Sequence, residues 1–116
     1  MISTKNLESA AQLLLKSKST IAFTGAGISV ESGIPPFRGS DGIWNNYNPR
    51  ILDINYFYRF PEKSWPVIIE LFYDFFEDKT PNQAHLTLSA WESHNMLDRI
   101  ITQNIAHLHQ SAGNKK

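Results

Sequence analysis

The chain has 116 residues, 41% hydrophobic and 19% charged, with a formal net charge of zero and no cysteine. That length holds one small domain. The balance excludes a disordered chain, a basic nucleic-acid surface or an anionic-membrane binder, a disulfide framework and a thiolate zinc site.

No apolar stretch approaches the roughly 18 residues of a bilayer span, and the start, MISTKNLESAAQ, lacks the apolar core of a signal peptide. The expected location is cytoplasmic. Leu7, Ala11, Leu14 and Leu15 fall at the spacing of an amphipathic helix over residues 4 to 17, with Ser3 or Thr4 as its cap. TIAFT, residues 20–24, reads as a short buried strand. A glycine-rich stretch follows, GAGISVESGIPPFRG, residues 25–39.

Residues 40–60 read as loop with a short helix near Ile54–Arg59, and Pro61 suits the start of a longer helix. Pro66 lies so early in that helix that the helix is expected to begin there, with Ile68, Leu71, Phe72, Phe75 and Phe76 on one face. Residues 80–95 predict another helix with Ala84, Leu88 and Trp91 inward. RIIT, residues 99–102, is a second strand, and NIAHLHQSAG turns into a helix ending near Gly113. The order predicts an α/β fold with parallel strands and a right-handed crossover. Two strands make a poor parallel sheet, which is normally covered on both faces.

In such folds ligands sit beyond the carboxyl ends of the strands, where Gly25 lies. Gly25 and Gly27 allow close approach of a pyrophosphate, ISVES offers backbone N–H groups and a helix start, and Arg38 is suited to pair with phosphate. The spacing is not G-x-G-x-x-G. On pattern alone the stretch fits equally an ordinary tight loop with Arg38 in a surface salt bridge.

Longer matches point further. GAGISVESGIPPFRG resembles the signature loop of the sirtuins, GAGxSxxSGIPDFRG, and ITQNIAHLHQSAG resembles their second signature, TQNIDxLHxxAG. DGIWNNY, FPEKSW and PNQAH resemble three intervening motifs, in order and at plausible spacing. Sirtuins are NAD-dependent protein deacylases. The resemblance implies a Rossmann-like parallel sheet with helices, here incomplete: the N-terminal half of the family's large domain, with residues 39–80 as part of its helical insertion. It implies that Gly25, Ala26, Gly27 and Val30 line the pyrophosphate and ribose side of NAD. Phe37 would stand by the nicotinamide ribose, and Arg38 would order loop and phosphates. Gln103, Asn104 and Ile105 would border the nicotinamide end, with Asn104 supporting the reacting ribose. The implied partners are NAD and an acyl-lysine protein substrate, and the implied products are free lysine, nicotinamide and O-acyl-ADP-ribose.

The resemblance places the general-base histidine about five residues past Lys116, on the motif's spacing, and the four zinc cysteines later still. The expectation is therefore a truncated chain, inactive alone. It is expected to be marginally stable and to self-associate or need a C-terminal piece, because an uncovered sheet exposes an edge and an apolar face. His85 is expected to cap or pack and His94 to lie at the surface. His107 and His109 should diverge as packing or surface groups, with a His-x-His zinc site disfavoured. Two positions depart from the motifs: Pro36 and Ala106 stand where the family has Asp. The second change removes an acceptor for the nicotinamide carboxamide. IIELFYDFFEDK lacks the arginine of relatives that remove acidic acyl groups, which favours acetyl or fatty acyl. The alternative reading is a non-catalytic NAD or ADP-ribose binder, or an inert remnant.

Overall fold

The computed structural model describes residues 1–116. Helix α1, Thr4–Lys16, begins at Ser3, whose hydroxyl accepts the Asn6 N–H. Its expected apolar face is barely used: Leu14 is half-buried, while Leu7, Leu13 and Leu15 are exposed.

Strands β1, Ile21–Thr24, and β2, Arg99–Thr102, pair in parallel, with Ile21 opposite Arg99 and Thr24 opposite Thr102. Successive side chains point to opposite faces. One face carries Ala22, Thr24, Ile100 and Thr102, and is packed through Thr24 against His109 of helix α5, Leu108–Ala112. The other carries Ile21, Phe23, Arg99 and Ile101, all exposed, Phe23 to 74%. On the edge away from β1, the Ile100 N–H donates to the Lys116 carbonyl at 3.1 Å, so the chain end runs beside β2.

The stretch between the strands is mostly helical. Residues Ala26–Ser32 form a 3₁₀ segment that ends at Gly33, whose φ of 84° suits glycine. Two short 3₁₀ turns, Ile43–Asn45 and Pro49–Leu52, lead to α2, Ile54–Arg59, and α3, Pro61–Ile69. α3 starts at Pro61, which suits a helix start, and not at the later Pro66. Pro66 lies inside the helix, past its first turn, where its missing N–H removes one i→i−4 bond. A π-helical turn, Glu70–Asp74, extends it.

Helix α4, Gln83–Ser93, is capped by Asn82. Its inward face differs from the expected one. Ala84 is exposed and Leu88 and Trp91 are half-buried, while the buried residues are His85 and Glu92. Their partners explain this. Glu92 accepts from the Asn114 side chain and the Lys115 N–H, each at 2.8 Å, and a buried charge so bonded is tolerated.

Five hydrophobic side chains are buried, Ile34, Ile43, Leu71, Leu97 and Leu108, against seven polar ones. The radius of gyration is 17.3 Å, whereas a compact chain of this length has about 13 Å. The packed part is the contact zone of the 3₁₀ loop, the π turn, α4 and α5. No helix is long and apolar enough to cross a membrane.

Candidate functional site

The end of β1, the 3₁₀ loop and the segment after β2 converge. Asn104 makes the junction: its side-chain Nδ2 donates to the Gly25 carbonyl at 2.9 Å and its backbone N–H to Thr102 Oγ1 at 3.1 Å. Gln103 packs so close to Gly25 that a Cβ there would lie 2.8 Å from the Gln103 side-chain nitrogen.

Beside this junction is a cavity of about 180 Å³, lined by Ala26, Ser29 and Ile34 of the loop, Phe37 and Ile43, Leu71, Phe72 and Phe76 from the helical region, and Gln103 to Ala106 after β2. Phe37 stacks on Trp44, ring centroids 5.4 Å apart, and Phe72 meets Phe76 edge-on at 5.9 Å. The Phe37 side chain is aimed by a tight return of the backbone: Ile43 and Trp44 N–H groups donate to the Pro36 and Phe37 carbonyls at 2.8 and 3.1 Å. Gly42 makes that return possible, because a Cβ would lie 2.7 Å from the Arg38 backbone. No charged side chain lines the cavity; its polar groups are Ser29, Gln103 and Asn104.

Of the residues singled out in the sequence, Ala26, Phe37, Gln103, Asn104 and Ile105 line this one cavity, the exposed Gln103 and Ile105 at its mouth. Gly25 borders it through Asn104. Gly27, Val30 and Arg38 are exposed and lie outside its lining. Open space surrounds Gly27: nothing lies within 4 Å of where a Cβ would be. Ala106, a departure from the motif, faces the cavity, and Pro36 is half-buried. Part of the Phe-rich helical region forms the cavity wall, including Leu71, which is fully buried.

None of the four histidines lines the cavity. His85 and His109 are buried, ring centroids 5.0 Å apart. His109 Nε2 bonds Thr24 Oγ1 at 2.8 Å, and His85 Nδ1 accepts the Asn82 N–H at 3.2 Å. Burial holds both below the usual imidazole range, and for His85 the neighbouring His109 adds to this. His107 and His94 are exposed. No group of three or more His, Cys, Asp or Glu is placed to hold a metal ion.

The sequence reading missed Ser29, Ile43 and Gly42, and above all Asn82. The PNQAH stretch marks Asn82 as a residue before a helix. It carries no sign that the same amide reaches the carbonyl of Ile28, 54 residues earlier, at 2.7 Å.

A parallel α/β unit with a glycine loop clipped to the second strand end, and a small aromatic-walled cavity beside them, defines the class: an α/β domain with its cavity at the strand ends, where ligands sit in such folds. The family is resolved by comparison. Residues 25–116 match the model of the Sir2 family, and the chain belongs to that family. It is 47% identical over 104 residues to an NAD-dependent protein deacetylase of Caldivirga maquilingensis, covering 90% of this chain and 40% of that protein. It is 43% identical over 111 residues to NAD-dependent protein deacylase 2 of Archaeoglobus fulgidus, covering 95% and 43%. Among solved structures, a Sir2 with a deacetylated p53 peptide and 3′-O-acetyl ADP ribose superposes with a TM-score of 0.90 at 41% identity, over 95% of this chain and 44% of that one. A complex of Sir2, p53 peptide and NAD+ gives 0.82 at 39% identity, over 95% and 43%. The chain therefore spans less than half the length of these relatives.

Proposed function

We propose that these residues form the nicotinamide-side wall of an NAD-dependent protein-lysine deacetylase. The observation that carries this is the cavity between Ala26, Phe37 and Gln103–Ala106. A void of 150 Å³ accepts benzene, so about 180 Å³ suits one six-membered ring and not a whole dinucleotide. The ring of NAD is flat, cationic and bears a carboxamide. Phe37, Phe72 and Phe76 supply aromatic walls for a cation. Gln103 and Asn104 supply amides for the carboxamide or the attached ribose. The open face at Gly27 leaves room for the pyrophosphate to approach the backbone, with Val30 and Arg38 exposed beside it.

When bound, NAD supplies an electrophilic ribose carbon and nicotinamide as leaving group. The chain's own part is to position that carbon and keep water from it. Asn104 fixes the loop that roofs the cavity, and the aromatic walls dry it. On this reading His85 and His109 do not serve as general base, since both are committed to packing. The acyl group taken is uncharged, acetyl or longer, because the stretch IIELFYDFFEDK carries no arginine to pair with an acidic acyl group. The exposed Ile21, Phe23 and Ile101 face is where a further segment or a second copy packs.

The test is the full-length protein with an acetyl-lysine peptide and NAD. Deacetylation with one nicotinamide released per lysine freed supports the reading. NAD binding without turnover supports the non-catalytic binder, and neither binding nor turnover overturns both.

A further inference from the structure

We propose that Asn82 is a positioning residue that clamps the 3₁₀ loop in its ligand-ready form. The ligand part of this rests on the reading of the cavity given above. Asn82 Nδ2 donates to the Ile28 carbonyl at 2.7 Å and to Ser32 Oγ at 3.1 Å. Its Oδ1 accepts the N–H groups of Ala84 and His85, at 2.9 and 3.4 Å. Two N–H donors on one side fix which end of the amide is oxygen, so the NH₂ end must face the loop. The main chain of Asn82 is fixed in turn by its N–H bond to His85 Nδ1. The His85 ring is fully buried against His109, which is tied to Thr24 at the end of β1.

The loop is thus held at two points. Asn104 holds Gly25 from the β2 side, and Asn82 holds Ile28 and Ser32 from the α4 side. Ala26 and Ser29, the loop residues that line the cavity, lie between or beside these points. A 3₁₀ segment of seven residues has strained hydrogen-bond geometry and is uncommon at that length. External bonds to its carbonyl and hydroxyl are what an otherwise unfavourable loop requires.

Capping and clamping are separable. Aspartate at 82 has the same shape and caps α4 through its oxygens, but it has no NH₂ and sets a carboxylate against the Ile28 carbonyl. Ser32→Ala removes one acceptor without touching α4. In full-length protein, N82D is expected to speed hydrogen exchange of the Gly33 and Ile34 amides, which donate to Val30 and Ser29, by about tenfold. The Leu86 amide, bonded to the Asn82 carbonyl, should exchange at the wild-type rate. NAD affinity should fall about tenfold with a modest fall in melting temperature, and Ser32→Ala should give the same pattern at smaller size. Unchanged exchange at Gly33 and Ile34 overturns the clamp. Equal acceleration at Leu86 makes Asn82 a helix cap alone and overturns it too. Faster loop exchange with unchanged NAD affinity overturns the positioning role. Wild-type protein that binds no NAD overturns the cavity reading instead, and the exchange comparison still decides the clamp.

Discussion

Asn104 reaches across from the end of β2 and donates its side-chain N–H to the carbonyl of Gly25 at 2.9 Å. One hydrogen bond joins the two stretches that resemble family signatures. Asn104→Ala should cost about 1 kcal/mol of stability and weaken NAD binding by roughly tenfold or more, since the loop loses one tether. Chemical denaturation and calorimetry on the same sample separate the two effects.

Gly42 and Gly27 make a contrasting pair. A Cβ at 42 would lie 2.7 Å from the Arg38 backbone and 2.8 Å from the Phe37 carbonyl oxygen, whereas nothing lies within 4 Å at 27. Gly42→Ala should therefore destabilise the fold by about 1–3 kcal/mol and disturb the Phe37–Trp44 stack, visible in tryptophan fluorescence. Gly27→Ala should leave the unfolding midpoint within error but weaken NAD, if the pyrophosphate approaches there.

Ala106 faces the cavity where the family motif has an aspartate. Ala106→Asp restores an acceptor for a buried carboxamide. The expected gain in NAD affinity is roughly tenfold to a hundredfold. Nicotinamide should compete more strongly with the variant than with the wild type, which an inhibition titration reads directly.

Acid should act in two steps. His85 and His109 are held below the usual imidazole range, so the unfolded chain takes up protons first. Their contribution is complete above about pH 6.5 and is lost as pH falls from there through the folded values. The Asn114 side chain, then the Lys115 N–H, hold Glu92 below the usual range. That stability is present above about pH 4.3 and is lost as pH falls through the folded value. Melting temperature against pH should show both slopes. Glu92→Gln should flatten the lower one, and His85→Asn with His109→Gln the upper.

The strands were legible because TIAFT and RIIT are short runs rich in β-branched and aromatic residues, and the structure has strands at 21–24 and 99–102. Helix α1 was legible from its cap, Ser3, and α3 from Pro61; Asp53 and Asn82, which also accept backbone N–H groups at helix starts, were not read as caps. The inward face of α4 was not legible, because hydrophobic periodicity assumes an apolar interior. Here His85 and Glu92 are inside: Glu92 accepts from Asn114 and Lys115, and His85 accepts the Asn82 N–H at Nδ1 while its buried Nε2 has no partner. The use of Leu7 and Leu15 was misread for the converse reason: α1 has an apolar stripe that residues 1–116 leave exposed. Five cavity residues were found through motif resemblance. Ser29, Ile43 and the clamp by Asn82 were hidden because they depend on contacts between distant segments.

The central claim is that the cavity behind the glycine loop holds the nicotinamide end of NAD. The most direct measurement is calorimetric titration of NAD into full-length wild-type protein and into Ala26→Leu, whose larger side chain fills the cavity. Saturable heat with the wild type, lost in a folded Ala26→Leu variant, is the predicted result. Equal binding by both, or none by folded wild type, would contradict the account.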